Sequence, residues 1–256
     1  MMISMLTQAL AHPQGQPLAT EAPPAHWQAL AGERDGPAFL PPTCGTVIGT
    51  LLNHRDALAA LGEQVHAAPY KVPPQAPVLY LKPRNTVIGH RMPVVVPGEA
   101  PELEIGATLG VVIGRTASRV AEAAALAHVA GYTVVNDISM PRASLYRPSL
   151  RHKCRDGFCP IGPAIVARDR VHDPDALAIA VAIDGTDVWR SSTAGMIRPV
   201  ARLIADVSEF MTLHPGDVLM VGVASGAPRA RAGQRVTITI DGVGVLENPL
   251  VGEAQR

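Results

Sequence analysis

The chain reads as a mostly β fold with a few helices. Short apolar runs rich in Val, Ile and Leu recur between 23 glycines and 24 prolines, a density that punctuates strands rather than long helices. Only two stretches carry a helical period. The strand spacing is irregular, unlike the strand–helix repeat of a doubly wound sheet.

Taken in order, residues 1–44 hold Pro13, Pro17, Pro23, Pro24, Pro37, Pro41 and Pro42, which forbid a continuous helix or central strand. They are expected to form an arm or small subdomain, with a short helix near residues 26–30, ahead of a compact domain at 45–256. In that domain strands are expected at 46–48, 77–81, 86–88, 92–96 and 108–113. The Ala- and Leu-rich run 120–129, with Glu122 and His128 on its polar side, predicts a helix that Gly131 stops. Residues 132–135 read as a strand delivering Asn136 and Asp137 at its end. Further strands are expected at 164–167, 178–183, 187–189, 218–221 and 234–240. Ile197, Val200, Leu203, Ile204 and Val207 recur at three and four, which predicts a helix over 196–210.

Composition narrows the function. Lys plus Arg equals Asp plus Glu at 22 each, so no basic face for nucleic acid is expected. Apolar residues reach 47% and charged residues only 17%, which argues against disorder and suits a surface partly covered in an oligomer. Cys44, Cys154 and Cys159 fit neither a zinc knuckle nor a redox pair, so reduced thiols in a cytoplasmic protein are expected. No signal peptide is expected, since no Lys or Arg precedes an apolar run and Ser4, Thr7 and Gln8 interrupt the first ten residues; no membrane span is expected, since no run of eighteen apolar residues lacks polar breaks. Gly106-x-x-x-Gly110-x-x-x-Gly114 is neither a dinucleotide fingerprint nor a phosphate loop, so no nucleotide cofactor is expected.

The chemistry concentrates at Asp137 and at Lys153-Cys-Arg-Asp156-Gly-Phe-Cys-Pro-Ile-Gly-Pro163. A carboxylate, an ammonium, a guanidinium and a second carboxylate fall within twenty residues, followed by what reads as a rigid Pro-Ile-Gly-Pro turn. Two readings stand: an anion-binding loop, or a surface turn in which Lys153 pairs with Asp156.

Six ordered segments bear on the choice: Ile48-Gly-Thr-Leu-Leu-Asn-His-Arg-Asp56, Leu81-Lys-Pro-Arg-Asn-Thr-Val-Ile-Gly89, Gly131-Tyr-Thr-Val-Val-Asn-Asp137, Lys153 to Pro163, Met211-Thr-Leu-His-Pro-Gly-Asp217 and Gly242-Val-Gly-Val-Leu-Glu-Asn248. Together they resemble the fumarylacetoacetate hydrolase family. The resemblance implies a mixed β-roll or distorted barrel. Within the family it points to the amino-terminal half of enzymes that decarboxylate and isomerise unsaturated 2-oxo di- and tricarboxylates in 4-hydroxyphenylacetate catabolism, 2-hydroxyhepta-2,4-diene-1,7-dioate among them. It further implies a small keto-polycarboxylate ligand and either a homo-oligomer or a heteromer with a homologous subunit. Two other readings remain open: a non-catalytic structural or carboxylate-binding paralogue, and an independent metal-dependent keto-acid hydrolase or decarboxylase.

The resemblance also implies roles. Lys153, Asp156, Lys82 and Asp137 are the candidate catalytic residues; Arg142, Arg147, Arg155 and His54 are candidate substrate contacts. His54 is read either as an ordinary polar contact or as a substitute base. Metal-bearing relatives hold Mg²⁺ or Mn²⁺ with a Glu-x-Glu and a later Asp, because hard cations take oxygen ligands. Asp137 matches the later Asp. Counting back from Gly114 puts Gly106 and Thr108 at the two glutamate positions, while Glu102 and Glu104 stand four residues earlier, about 13 Å along an extended strand. No metal ligand set is therefore assigned, and Mg²⁺ or Mn²⁺ would require Asp137 to recruit Glu102 and Glu104. Ala57 and Ala60 occupy the positions of the family's lid His and Glu, and Val223 replaces a cleft Thr.

Overall fold

A computed structural model describes residues 40–43, 45–142, 146 and 149–253. Its first sheet has seven strands, built from β1 (Val47–Leu51), β2 (Val78–Lys82), β3 (Val87–Ile88), β6 (Ala107–Ile113), β7 (Val129–Asn136), β8 (Cys159–Ala167) and β11 (Val218–Met220), in the order β2-β1-β11-β6-β7-β8-β3. The second has five, from β4 (Val94–Val96), β9 (Ala178–Ile183), β10 (Thr186–Ser192), β13 (Arg235–Ile240) and β14 (Gly244–Gly252), in the order β10-β9-β13-β14-β4. A short ribbon pairs β5 (Leu103–Glu104) with β12 (Arg229–Ala230). Parallel pairings of β1 with β11, β3 with β8 and β4 with β14 make both larger sheets mixed. The result is a curled, half-barrel arrangement, the mostly β fold expected.

Burial follows position in these sheets. Every residue of β6 is buried, as a near-continuous apolar strand covered on both faces should be. β9 and β13 instead alternate buried with partly exposed residues, one face packed and one wet. The core between the sheets is aliphatic, with Ile105, Leu109, Ile113, Val181 and Ile238 fully buried around the larger Tyr132 and Phe158. Among the described residues the α-helices are short: α1 (Arg55–Ala59), α2 (Glu122–Ala125), α3 (Leu150–Lys153) and α4 (Val200–Ser208). On α4, Val200, Leu203, Ile204 and Val207 form the buried stripe.

Several elements differ from expectation for physical reasons. The 120–129 helix is only α2 plus a 3-10 turn at Leu126–His128, and β7 has begun by Val129. Gly131 does not stop a helix; it lies inside β7 where a Cβ would come 2.1 Å from the Val166 carbonyl oxygen, so the close strand pairing selects glycine. The helix expected over 196–210 starts at Val200, directly after Pro199, a residue suited to a first turn because it has no N–H to leave unsatisfied. Pro160-Ile-Gly-Pro163 is not a turn but part of β8. The ladder to β7 shifts register between Tyr132 and Val134, opposite this stretch, and such irregular pairing accommodates prolines that cannot donate. Apart from residues 40–43, the arm assigned to 1–44 and its short helix lie outside the described residues, as does Cys44. Cys154 and Cys159 are free thiols.

Candidate active site

Strand alternation on β2 creates the first half of the site. Tyr80 and Lys82 point inward and are buried, while Leu81 between them is 52% exposed. A buried lysine beside an exposed leucine inverts the usual order and needs strong compensation. Lys82 Nζ finds it by donating to the carbonyl oxygens of Ile138, Lys153 and Phe158, each at 2.8 Å. One ammonium thus ties together the chain just beyond β7, the end of α3 and the approach to β8.

Asp137 follows β7, 3% exposed. Its Oδ2 accepts from Lys153 Nζ at 2.6 Å and from the Tyr80 hydroxyl. Its Oδ1 stands 2.9 Å from Lys82 Nζ yet has no hydrogen-bond partner. The two observations agree once the three Lys82 N–H groups are counted, since all are spent on carbonyls and the contact is one of charge alone. Lys153, 4% exposed on the last turn of α3, also lies over the Tyr80 ring, 4.6 Å from its centroid.

This environment fixes protonation. Burial by itself would raise the Asp137 pKa, but Lys153 and then Lys82 outweigh it and hold the carboxyl well below the usual range. Burial lowers the Lys153 pKa; Asp137 opposes that, while Lys82 and Arg142 add to it. Burial, reinforced by the Asp137 charge, raises the Tyr80 pKa well above normal, so the phenol keeps its proton and donates it. One locked carboxylate faces two ammonium groups and the Arg142 guanidinium, whose Nη1 is buried without a partner. The surplus is positive, which suits an anionic ligand.

The cluster opens onto a cleft of about 590 Å³. Asp137, Ser139, Arg142 and Lys153 form its floor, and the Val223–Ala227 segment one side. The roof is the lid that begins with α1 and continues through a 3-10 turn at Gly62–His66; it presents Ala57, Ala60, Leu61 and Ala67, with Gln64 and Tyr70 its polar members. Asp56 hooks the lid to the side wall by accepting from the Ser225 backbone N–H at 3.0 Å. A cationic floor under an apolar roof fits a ligand with anionic ends and an apolar middle.

Of the residues singled out in the sequence, Asp137, Lys153 and Arg142 line the cleft and Lys82 supports it from behind. Asp156 does not join them: it is exposed, accepts from Asn85 Nδ2 at 2.7 Å, and shares a separate surface recess with Arg155. The pairing of Lys153 with Asp156 is replaced by the pairing with Asp137. Arg155 is ion-paired with Glu99. His54 turns away from the cleft, its Nδ1 2.6 Å from Asp56 and its Nε2 3.0 Å from the Ser192 carbonyl; it acts as the lid's anchor against β10. Arg147 lies outside the described residues. Tyr80 and Ser139 were not anticipated. Tyr80 was legible only as the residue two before Lys82 on one strand, hence on the same face.

Metal-bearing relatives raise the question of a divalent ion. Asp137 N–H donates to the Gly106 carbonyl, so position 106, the family's first glutamate position by the count from Gly114, stands opposite Asp137. A Cβ at 106 would come 2.4 Å from the Asp137 carbonyl oxygen, which leaves no room for a glutamate on this backbone. Thr108 is fully buried and donates to the Gly222 carbonyl at 2.7 Å. Asp137 already faces two lysines. Among the described residues no group of three or more His, Cys, Asp or Glu is placed to hold a metal. This donor set does not fit a three-carboxylate metal centre.

Comparison with known proteins agrees with the fold and motifs. Residues 46–251 match the fumarylacetoacetate (FAA) hydrolase C-terminal family. A 4-hydroxyphenylacetate degradation bifunctional isomerase/decarboxylase of Salmonella dublin is 41% identical over 209 residues, covering 82% of this chain and 48% of that protein. The chain therefore spans about half the length of that relative. Among solved structures, 5-carboxymethyl-2-hydroxymuconate delta-isomerase from Mycobacterium smegmatis superposes with a TM-score of 0.72 at 31% identity, over 85% of this chain and 83% of the other. Maleylpyruvate hydrolase from Sphingobium sp. SYK-6, in complex with manganese(II) and pyruvate, gives 0.70 at 26% identity, over 84% and 74%.

Proposed function

The chain belongs to the fumarylacetoacetate hydrolase family, and from that premise we propose that it is a subunit of a decarboxylase/isomerase acting on unsaturated 2-oxo di- or tricarboxylates of aromatic catabolism. The observation that carries this reading is the cleft floor, where Lys153 and Arg142 stand beside a single locked carboxylate under an apolar lid. Decarboxylation and double-bond isomerisation of such acids both pass through an enolate. A buried ammonium stabilises that charge as it develops, because the low-dielectric surroundings strengthen the interaction and the cation is already in place.

Each group has a part in this chemistry. Lys153 Nζ gives one N–H to Asp137 and sets one side against the Tyr80 ring, leaving donor capacity for the substrate oxygen. Asp137 and Tyr80 position that ammonium. Lys82 balances the Asp137 charge and fixes the backbone around it. Arg142 offers a planar fork for a substrate carboxylate.

A second reading, a carboxylate-binding paralogue without turnover, draws on the lid, where Ala57 and Ala60 present methyl groups to the cleft. The two separate in one experiment. The purified chain, alone and mixed with the homologous subunit, is given 2-hydroxyhepta-2,4-diene-1,7-dioate, and loss of the dienol absorbance is followed. Turnover that falls with Lys153→Met in an intact complex supports the enzyme. Undiminished partner activity with Lys153→Met supports the paralogue. The working assembly is proposed to be a homo-oligomer or a heteromer with the homologous subunit.

A further inference from the structure

Glu104 occupies a place in the cleft that neither the family count nor the motif reading gives it. It bridges antiparallel to Ser139, with Glu104 N–H donating to the Ser139 carbonyl at 2.8 Å and Ser139 N–H returning a bond at 3.2 Å. Two residues on, Gly106 stands opposite Asp137. Because side chains alternate along a strand, Glu104 and Gly106 share a face with Ser139 and Asp137, and all four line the same cleft. Glu104 is thus one pleat step, about 7 Å along the backbone, from the position facing the Lys153–Asp137 pair.

Its carboxylate is also uncommitted. Among the described residues the Glu104 side chain has no hydrogen bond or ion pair, whereas Asp137, the other cleft carboxylate, is held by Lys153, Lys82 and Tyr80. The lid supplies no carboxylate or imidazole to the cleft. An enolising site needs a group that takes and returns a proton, and the locked Asp137 is a poor one.

We propose that Glu104 is the proton-carrying catalytic residue of this cleft, a reading that rests on the enolising function above. Its carboxylate removes a proton from the carbon beside the substrate's oxo group, so a C–H bond breaks and an Oε–H bond forms. The freed pair becomes a C=C bond while the carbonyl pair moves onto oxygen as an enolate beside the Lys153 ammonium. Return of the proton at the far end of the conjugated system breaks Oε–H, forms the new C–H bond and restores the oxo group. When the reaction is entered from the dienol, the hydroxyl proton leaves to water and Glu104 delivers a water-derived proton to carbon. No oxidant or co-reactant is consumed.

The test is ketonisation of 2-hydroxyhepta-2,4-diene-1,7-dioate in D₂O by the complete protein, with its homologous subunit where turnover requires it. For Glu104→Gln, kcat is expected to fall about 100-fold or more, within the usual range for loss of a general acid–base, with KM within about threefold, the signature of an interaction made only in the transition state. Deuterium incorporation is expected to be stereospecific in the wild type and to lose that stereospecificity in the variant, which a merely structural role would not produce. Glu104→Asp, which shortens the arm but keeps the acid, is expected to restore part of kcat and the stereospecificity. Wild-type turnover left unchanged by Glu104→Gln would overturn the assignment of Glu104 alone. Absence of turnover in the wild type, with and without the partner, would remove the functional reading and this inference together.

Discussion

Replacing Lys153 with methionine keeps the reach of the aliphatic stem to Cε and deletes the charged Nζ. The loss can be sized from the contacts around it. Lys153 is 4% exposed and its Nζ lies 2.6 Å from Asp137 Oδ2. Removing one member of a buried ion pair typically costs about 3–5 kcal/mol, because the other charge is left uncompensated. Here Lys82 remains 2.9 Å from Asp137 Oδ1 and Tyr80 still donates to Oδ2, so the low end applies, about 3 kcal/mol. In a chain of this size that is a fall of about 6–12 °C in melting temperature. Lys82→Met should be worse, since it also strips the donor from three buried carbonyls, each worth about 1–3 kcal/mol when left unsatisfied. Thermal unfolding of wild type, Lys153→Met, Asp137→Asn and the double variant forms the cycle that isolates the pair. A coupling of about 2 kcal/mol or more is expected. A Lys153→Met protein as stable as wild type, with no coupling to Asp137, would be incompatible with a stabilising buried pair at this site.

Other expectations follow from the same cluster. Because the folded Asp137 pKa lies below its ordinary 3.8, the carboxylate contributes stability that is present above about 3.8 and is lost as pH falls further; the acid limb of wild-type stability against pH should flatten in Asp137→Asn. In turnover, Lys153→Met is expected to lower kcat about 10²–10³-fold, the range seen when one preorganised oxyanion stabiliser is removed; near-wild-type kcat in a folded variant would contradict its role. Chelation with EDTA should leave the rate unchanged, and a drop restored by added Mn²⁺ would contradict the donor-set argument. The double variant Gly106→Glu/Thr108→Glu should unfold at lower temperature and gain no tight Mn²⁺ site by calorimetry, because a side chain at 106 collides with the Asp137 backbone.

Much of the frame was legible because it lies in local pattern. β9, expected at 178–183, is Ala178–Ile183, an apolar run bounded by turns whose period needs no tertiary knowledge. β14 was missed: Gly244, Asn248 and Pro249 break its apolar run, and only pairing with β13 and β4 makes it a strand. The count from Gly114 put Gly106 and Thr108 at the family's two glutamate positions, whereas the pairing of Gly106 with Asp137 comes from the folded strands, whose ladder shifts register between Val112 and Ile113. It did not reveal Glu104 on the same face, because the bridge to Ser139 is a cross-strand fact. Lys153 and Asp156, three residues apart, invited a local pair, yet α3 ends at Lys153 and the two side chains part. Tyr80 sits among aliphatic residues and reads as core until its hydroxyl is seen on Asp137.

In the proposed function a lysine-centred floor, rather than a divalent ion, receives the 2-oxo acid. A crystal of the chain grown with a 2-oxo dicarboxylate and millimolar Mn²⁺ tests it directly. Ligand oxygens are expected within hydrogen-bonding distance of Lys153 Nζ and the Arg142 guanidinium, with Asp137 still paired to both lysines and no anomalous manganese peak in the cleft. An octahedral manganese peak about 2.1 Å from Asp137 and Glu104 oxygens, bridging to the ligand, would contradict it.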